Sequence, residues 1–207
     1  GILARNKVLR QTYILLAMNV LFSAVCAYLG MRLGIGRIPP ALALIGIFAL
    51  SWAVSANRNN GLGIVLLFAF TGGLGFYLSA YLSLLMGVGM GSIIVKALVG
   101  TAILFFGLSA YVLFTGTNFT FLGGFLYTGI MVAFLASIGG WVFGMSALSL
   151  AASAAFLVIS AGYVLYNTSN IIQGEETNYI MATMDLFINI FNMFVSLLNI
   201  LSAFNRN

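Results

Sequence analysis

Apolar runs of about twenty residues recur along this chain, broken only by short polar or glycine-rich stretches. Few folds are open to such a polypeptide. In lipid, every backbone N–H and C=O must be satisfied within the protein, which leaves helices or a closed barrel. Barrel strands alternate apolar and polar residues, and these runs do not alternate, so helices remain. Charged residues make up 5% of the chain, against roughly 25% in soluble domains. With 62% hydrophobic residues, no soluble fold could hide the apolar surface. The expected class is therefore an all-α polytopic membrane protein, with the lipid bilayer as its first partner.

Seven transmembrane spans are expected, forming one domain over residues 1–207 with a short polar N-terminal tail, 1–11. The first span runs from about Thr12 to Leu29, and the second from Pro39-Pro40 to about Ala56. Proline suits a first helical turn, where its missing N–H would have no partner anyway. The third covers about Leu62 to Leu85, the fourth Ser92 to Phe114 and the fifth Phe119 to Phe143. The sixth covers about Ser146 to Ile172 and the seventh Met181 to Phe204. Gly87-Val88-Gly89-Met90-Gly91 reads as a connector, because no strand precedes it and no Lys-Ser/Thr pair closes it as in a phosphate-binding loop. The chain begins at Gly1, not Met, which reads as a cut tail.

Several chemistries are excluded. Histidine is absent and Cys26 is the one cysteine, so no zinc site, internal disulfide or Ser/His/Asp triad is expected. No metal, no cofactor and no enzymatic activity are expected. The net charge of +5 comes from eight dispersed basic residues, whereas nucleic-acid binding needs them clustered.

Polar groups gather instead in residues 160–205, which hold all three acids, Glu175, Glu176 and Asp185. Asp185, Asn189, Asn192, Ser196 and Asn199 step by 4, 3, 4 and 3, and so share one helix face. The preceding span carries Ser146, Ser149, Ser153, Ser160 and Asn167 at a similar helical spacing. In lipid, polar side chains turn toward protein or water, so two striped helices in succession imply a hairpin with its stripes inward. Two roles stay open for these residues. They are interhelical hydrogen-bond glue, worth about 0.6–2 kcal/mol each, or a buried polar core with a functional history.

Two basic residues are candidates for charged contacts. Arg58 sits in the turn after the second span. Lys96, about one turn into the fourth span, either snorkels to the interface or makes a polar contact within the bundle. Arg5, Lys7 and Arg10 precede the first span, which favours a cytoplasmic N-terminus. Seven spans then place the C-terminus in the periplasm.

Tyr166-Asn167-Thr168-Ser169-Asn170-Ile171-Ile172-Gln173-Gly174, followed by Glu176-Thr177-Asn178-Tyr179-Ile180, resembles the Bax inhibitor-1, or transmembrane Bax-inhibitor-motif, family. The likeness is to its bacterial YccA-like branch. Other similar stretches are KVLRQTY (7–13), FAFTGGLGF (68–76), ALVGTAILFF (97–106), FLGGFL (121–126) and NMFVSLLNIL (192–201).

The resemblance implies seven helices with the seventh central, in the inner membrane of a bacterium. It also implies two activities. YccA-like members restrain the membrane-anchored AAA protease FtsH, which makes that protease and its associated complex the expected partner. Other members leak calcium through a gate formed by two aspartates on helices six and seven. In this chain those positions fall on Asn167 and Asn189, and amides carry no charge at ordinary pH. Ser55 stands where leak members carry an arginine, with Arg58 the nearby base. A calcium or proton leak is thus the alternative, with calcium the alternative partner. A purely structural membrane partner is a third class. Asp185, one turn before Asn189, reads either as an acid favoured in the first turn by the helix dipole or as a relocated carboxylate. If Asn167 and Asn189 face each other, the hairpin centres on residue 178, its connection spans about 172–184, and helix seven begins nearer Thr183 than Thr177.

Overall fold

The computed structural model describes residues 2–206, most of them helical. The helices are α1 (Ile2–Leu33), α2 (Pro40–Ala56), α3 (Gly61–Gly87), α4 (Gly91–Thr115), α5 (Gly123–Val142), α6 (Ser146–Ile172) and α7 (Tyr179–Asn205), with a 3-10 turn at Thr120–Leu122. No strand occurs among the described residues. Gly1, the first residue of the expected tail, lies outside them, and the rest of that segment continues α1 as helix. Nothing in residues 2–29 breaks a helix, since that stretch contains neither proline nor glycine.

Among the described residues, six helices are long and apolar enough to cross a membrane, and α2, at 17 residues, is shorter. At 1.5 Å per residue it spans about 25 Å, close to the lower limit for a crossing. Packing of its neighbours sets its direction. On α1 and α3, Asn19 Oδ1 accepts a hydrogen bond from Thr71 Oγ1 at 2.8 Å. Further along, a side chain at Gly75 would strike the Ser23 carbonyl, and one at Gly30 would strike Ser79. Partners advance together along both helices, so α1 and α3 run parallel. The segment between them must carry the chain back, and α2 is that return leg. Pro40 opens it in the first turn, with Pro39 just outside.

The chain falls into two compact units. One comprises Gly1–Gly91 with Glu176–Phe187, the other Ser92–Glu175 with Ile188–Asn207, so α7 contributes to both. The first unit is built on the parallel α1–α3 pair. Its seam is lined by small and polar residues, which let backbones approach closely in a membrane. In the second unit, α5 and α6 form an antiparallel hairpin. There Gly140 meets Ser149, Gly129 meets Ile159, Gly162 meets Leu126 and Gly123 meets Tyr166.

Candidate functional site

The site begins where α6 ends. Gly174, at φ +79°, takes the left-handed conformation that glycine adopts without a Cβ penalty. Gly174 N bonds to the Ile171 carbonyl at 3.2 Å and Glu175 N to the Asn170 carbonyl at 2.9 Å, the paired bonds of a Schellman cap. Four residues later Asn178 starts α7. Its Oδ1 accepts from Ile180 N at 3.0 Å and Met181 N at 3.1 Å, satisfying donors that a helix start leaves open. The connection is therefore 173–178, and α7 begins at Tyr179. This corrects the expectation of a 172–184 connection with α7 starting near Thr183. The cap on Asn178 draws the helix start back toward the turn.

Asn178 also ties the first unit together. Its Nδ2 donates to the Arg58 carbonyl at 3.0 Å and to Asn59 Oδ1 at 3.1 Å, and its N–H donates to Glu176 Oε1 at 2.9 Å. The α2–α3 turn is itself cross-bonded. Asn60 Oδ1 accepts from Gly63 N at 3.3 Å, Asn60 Nδ2 donates to Asn57 Oδ1 at 3.2 Å, and Asn57 Nδ2 donates to the Ala53 carbonyl at 2.9 Å. One turn into α7, Thr183 Oγ1 lies 2.7 Å from the Tyr179 carbonyl and 3.3 Å from the Thr12 carbonyl on α1. Spacing places Arg58 in the turn after the second span and the family-like motif within 166–180, and says nothing of the junction between them. No spacing rule connects residues 120 positions apart. Arg58 enters this junction through its backbone, and its residue is exposed. Lys96 is exposed on α4 beside Val95 and Val99.

The polar stripe of α7 divides between the units. Asp185 is half-buried in the first. In the second, Asn189 and Ser196 are buried, while Asn192 and Asn199 are half-buried. Asn199 Nδ2 donates to Ser153 Oγ on α6 at 3.3 Å. No residue from Asn178 to Ala203 is exposed. On α6, Ser160 is wholly buried and Asn167 half-buried. Asn189 Nδ2 has no hydrogen-bond partner in the protein, and neither do Ser160 Oγ and Thr168 Oγ1. Counting antiparallel from the Ser153–Asn199 contact sets Asn189 level with Tyr163. That is four residues, or about 6 Å, from the level of Asn167.

Among the described residues, no group of three or more His, Cys, Asp or Glu side chains could hold a metal ion. The buried groups that do converge are hydroxyls and amides, which exchange hydrogen bonds without changing charge. Such groups hold neighbouring helices together through hydrogen bonds, as Asn199 and Ser153 do.

A family model described as "Inhibitor of apoptosis-promoting Bax1" matches residues 5–206. Over 207 residues the chain is 43% identical to an Escherichia coli K12 protein named "Modulator of FtsH protease YccA", covering 100% of this chain and 94% of that one. The counterpart in Escherichia coli O6:H1, named "Inner membrane protein YccA", matches equally. An uncharacterized protein of Pasteurella multocida is 44% identical over 191 residues, covering 92% of this chain and 87% of its own.

Proposed function

The chain belongs to the Bax inhibitor-1 family, and from that premise we propose that it is a modulator and binding partner of the membrane-anchored AAA protease FtsH. The observation that carries this is the 43% identity along its full length to a relative named for that role. The site's chemistry agrees with binding. Its buried polar groups are mostly neutral hydrogen-bonding groups, and the positions that the resemblance assigns to the family's gate carry Asn167, half-buried, and Asn189, buried, amides in place of the acidic pair.

In this reading all seven helices act as one transmembrane domain with α7 at its centre. Support comes from the absence of any exposed residue between Asn178 and Ala203. The protein lies in the bacterial inner membrane, as a relative's name states for that relative. Its N-terminus is cytoplasmic, in keeping with Arg5, Lys7 and Arg10 at the start of α1, and its C-terminus is periplasmic.

The test is affinity purification of the tagged chain from native membranes after mild cross-linking, with partners identified by mass spectrometry. A second arm follows the half-life of a membrane substrate of the protease when the chain is overproduced. Recovery of the AAA protease together with slower substrate turnover is expected. A preparation without the protease, and with turnover unchanged, overturns the proposal.

A further inference from the structure

We propose that the α6–α7 seam of the second unit holds a buried water site formed by Ser160, Asn189 and Asn192. The starting point is the hydrogen bond from Asn199 Nδ2 to Ser153 Oγ at 3.3 Å, which fixes the antiparallel register of the two helices. One heptad along, seven residues after Ser153 and seven before Asn199, stand Ser160 and Asn192. A helix returns to within about 20° of its starting direction after seven residues. Ser160 is therefore aimed at α7 as Ser153 is, with Asn192 level with it.

This second rung is not closed by protein atoms at Ser160. Its residue is 0% exposed, yet Oγ has no hydrogen-bond partner. Asn189, 5% exposed and one turn from Asn192 along α7, likewise has an unpartnered Nδ2. Buried polar groups without partners cost free energy that a well-placed water recovers, and such a water needs two to four polar partners. The seam offers three. The unpartnered Asn189 amide is an N–H donor, so the ligand must supply a lone pair. That requirement fits water and disfavours a metal cation.

The test is radiolytic footprinting of the folded native protein in oxygen-18 water, because bound water labels side chains beside it. Met193 is the reporter. It is 0% exposed and stands one turn past Asn189 on the same helix. Met145, at 52% exposure, serves as the solvent control. Labelling of Met193 at a rate comparable with Met145 is expected, and its loss in Ser160→Val. A second measurement is the thermal midpoint of Ser160→Ala. Loss of a water-bonded hydroxyl should lower it by roughly 2–4 °C for a chain of this size, whereas removal of an unsolvated hydroxyl should raise it. An unlabelled Met193 in the native protein, or a raised midpoint in Ser160→Ala, overturns the water site.

Discussion

Helices α5 and α7 have nearly the same hydropathy, yet 44% of the residues along the most apolar stretch of α7 are buried, against 11% for α5. Phe125, Val132 and Leu135 of α5 are 74%, 61% and 63% exposed, while Leu186 and Leu198 of α7 are at 0%. Apolar content alone therefore says only that a helix can live in lipid. What separates the two is the distribution of amides and hydroxyls. In α7 they recur at helical spacing and cannot be turned toward hydrocarbon without cost, and none of Asp185, Asn189, Asn192, Ser196 and Asn199 is exposed. In α5 the backbone contacts are confined to one glycine-bearing edge, and the remaining circumference is free to meet lipid.

Steric substitutions on α5 give the largest expected contrast. A side chain at Gly140 would strike Ser149 Oγ and stand 2.9 Å from the Ser149 backbone nitrogen, whereas nothing lies within 4 Å of one at Gly124. Gly140→Leu is expected to prevent the α5–α6 hairpin from closing and to abolish the folded species in detergent. Gly124→Leu should leave it intact, as size-exclusion chromatography of the two variants would show. Equal tolerance would remove the idea of a single packed edge. Next come truncations. Leu198→Ala on α7 should cost about 2–5 kcal/mol, and Leu135→Ala on α5 no more than about 0.5 kcal/mol. Reversible unfolding curves measure both, and similar costs would erase the distinction between the helices.

A smaller effect is expected at the start of α7. Asn178→Ala removes a helix cap and should cost about 0.5–2 kcal/mol. Because Asn178 also holds the α2–α3 turn, hydrogen exchange should rise at Asn59 and Asn60 as well as at Ile180. A change confined to α7 would show that the junction contributes nothing. Smallest of all is an expected absence of response. With amides and not carboxylates at Asn167 and Asn189, calcium flux into liposomes should be flat from about pH 5 to pH 8, the range in which carboxylates at functional sites can titrate. A clear pH dependence in the native protein would sink the amide argument. Loss of that dependence in Asp185→Asn would then assign the gate to Asp185.

Much of this architecture was legible in the amino-acid order. Ala56 as the end of α2, and Ser146 and Ile172 as the ends of α6, agree with the structure, because turn chemistry and hydropathy change at the same residues there. α1 was harder to delimit. Hydropathy marks a boundary near Thr12, but the hydrogen-bond ladder ignores polarity and runs from Ile2. α5 was expected from Phe119, where the chain instead makes a 3-10 turn before Gly123. Asn118 Oδ1 accepts from Thr120 N and Thr120 Oγ1, and that local side-chain capture competes with an α-helical start. At the site, the face shared by Asn189, Asn192, Ser196 and Asn199 was readable from spacing. The Asn178–Arg58 junction and the Ser153–Asn199 register were not, since both depend on which helices become neighbours.

The parallel run of α1 and α3 bears on how the chain is made. Two parallel helices cannot enter a membrane together as a hairpin. While the nascent chain is being inserted, the face of α1 that carries Asn19 and Ser23 must wait, without Thr71 and Gly75, until α2 has turned the chain back and α3 has followed. The shortest of the seven helices thus sets the order of assembly. A chain deleted for α2 would deliver α3 inverted, with every partner along that seam out of reach.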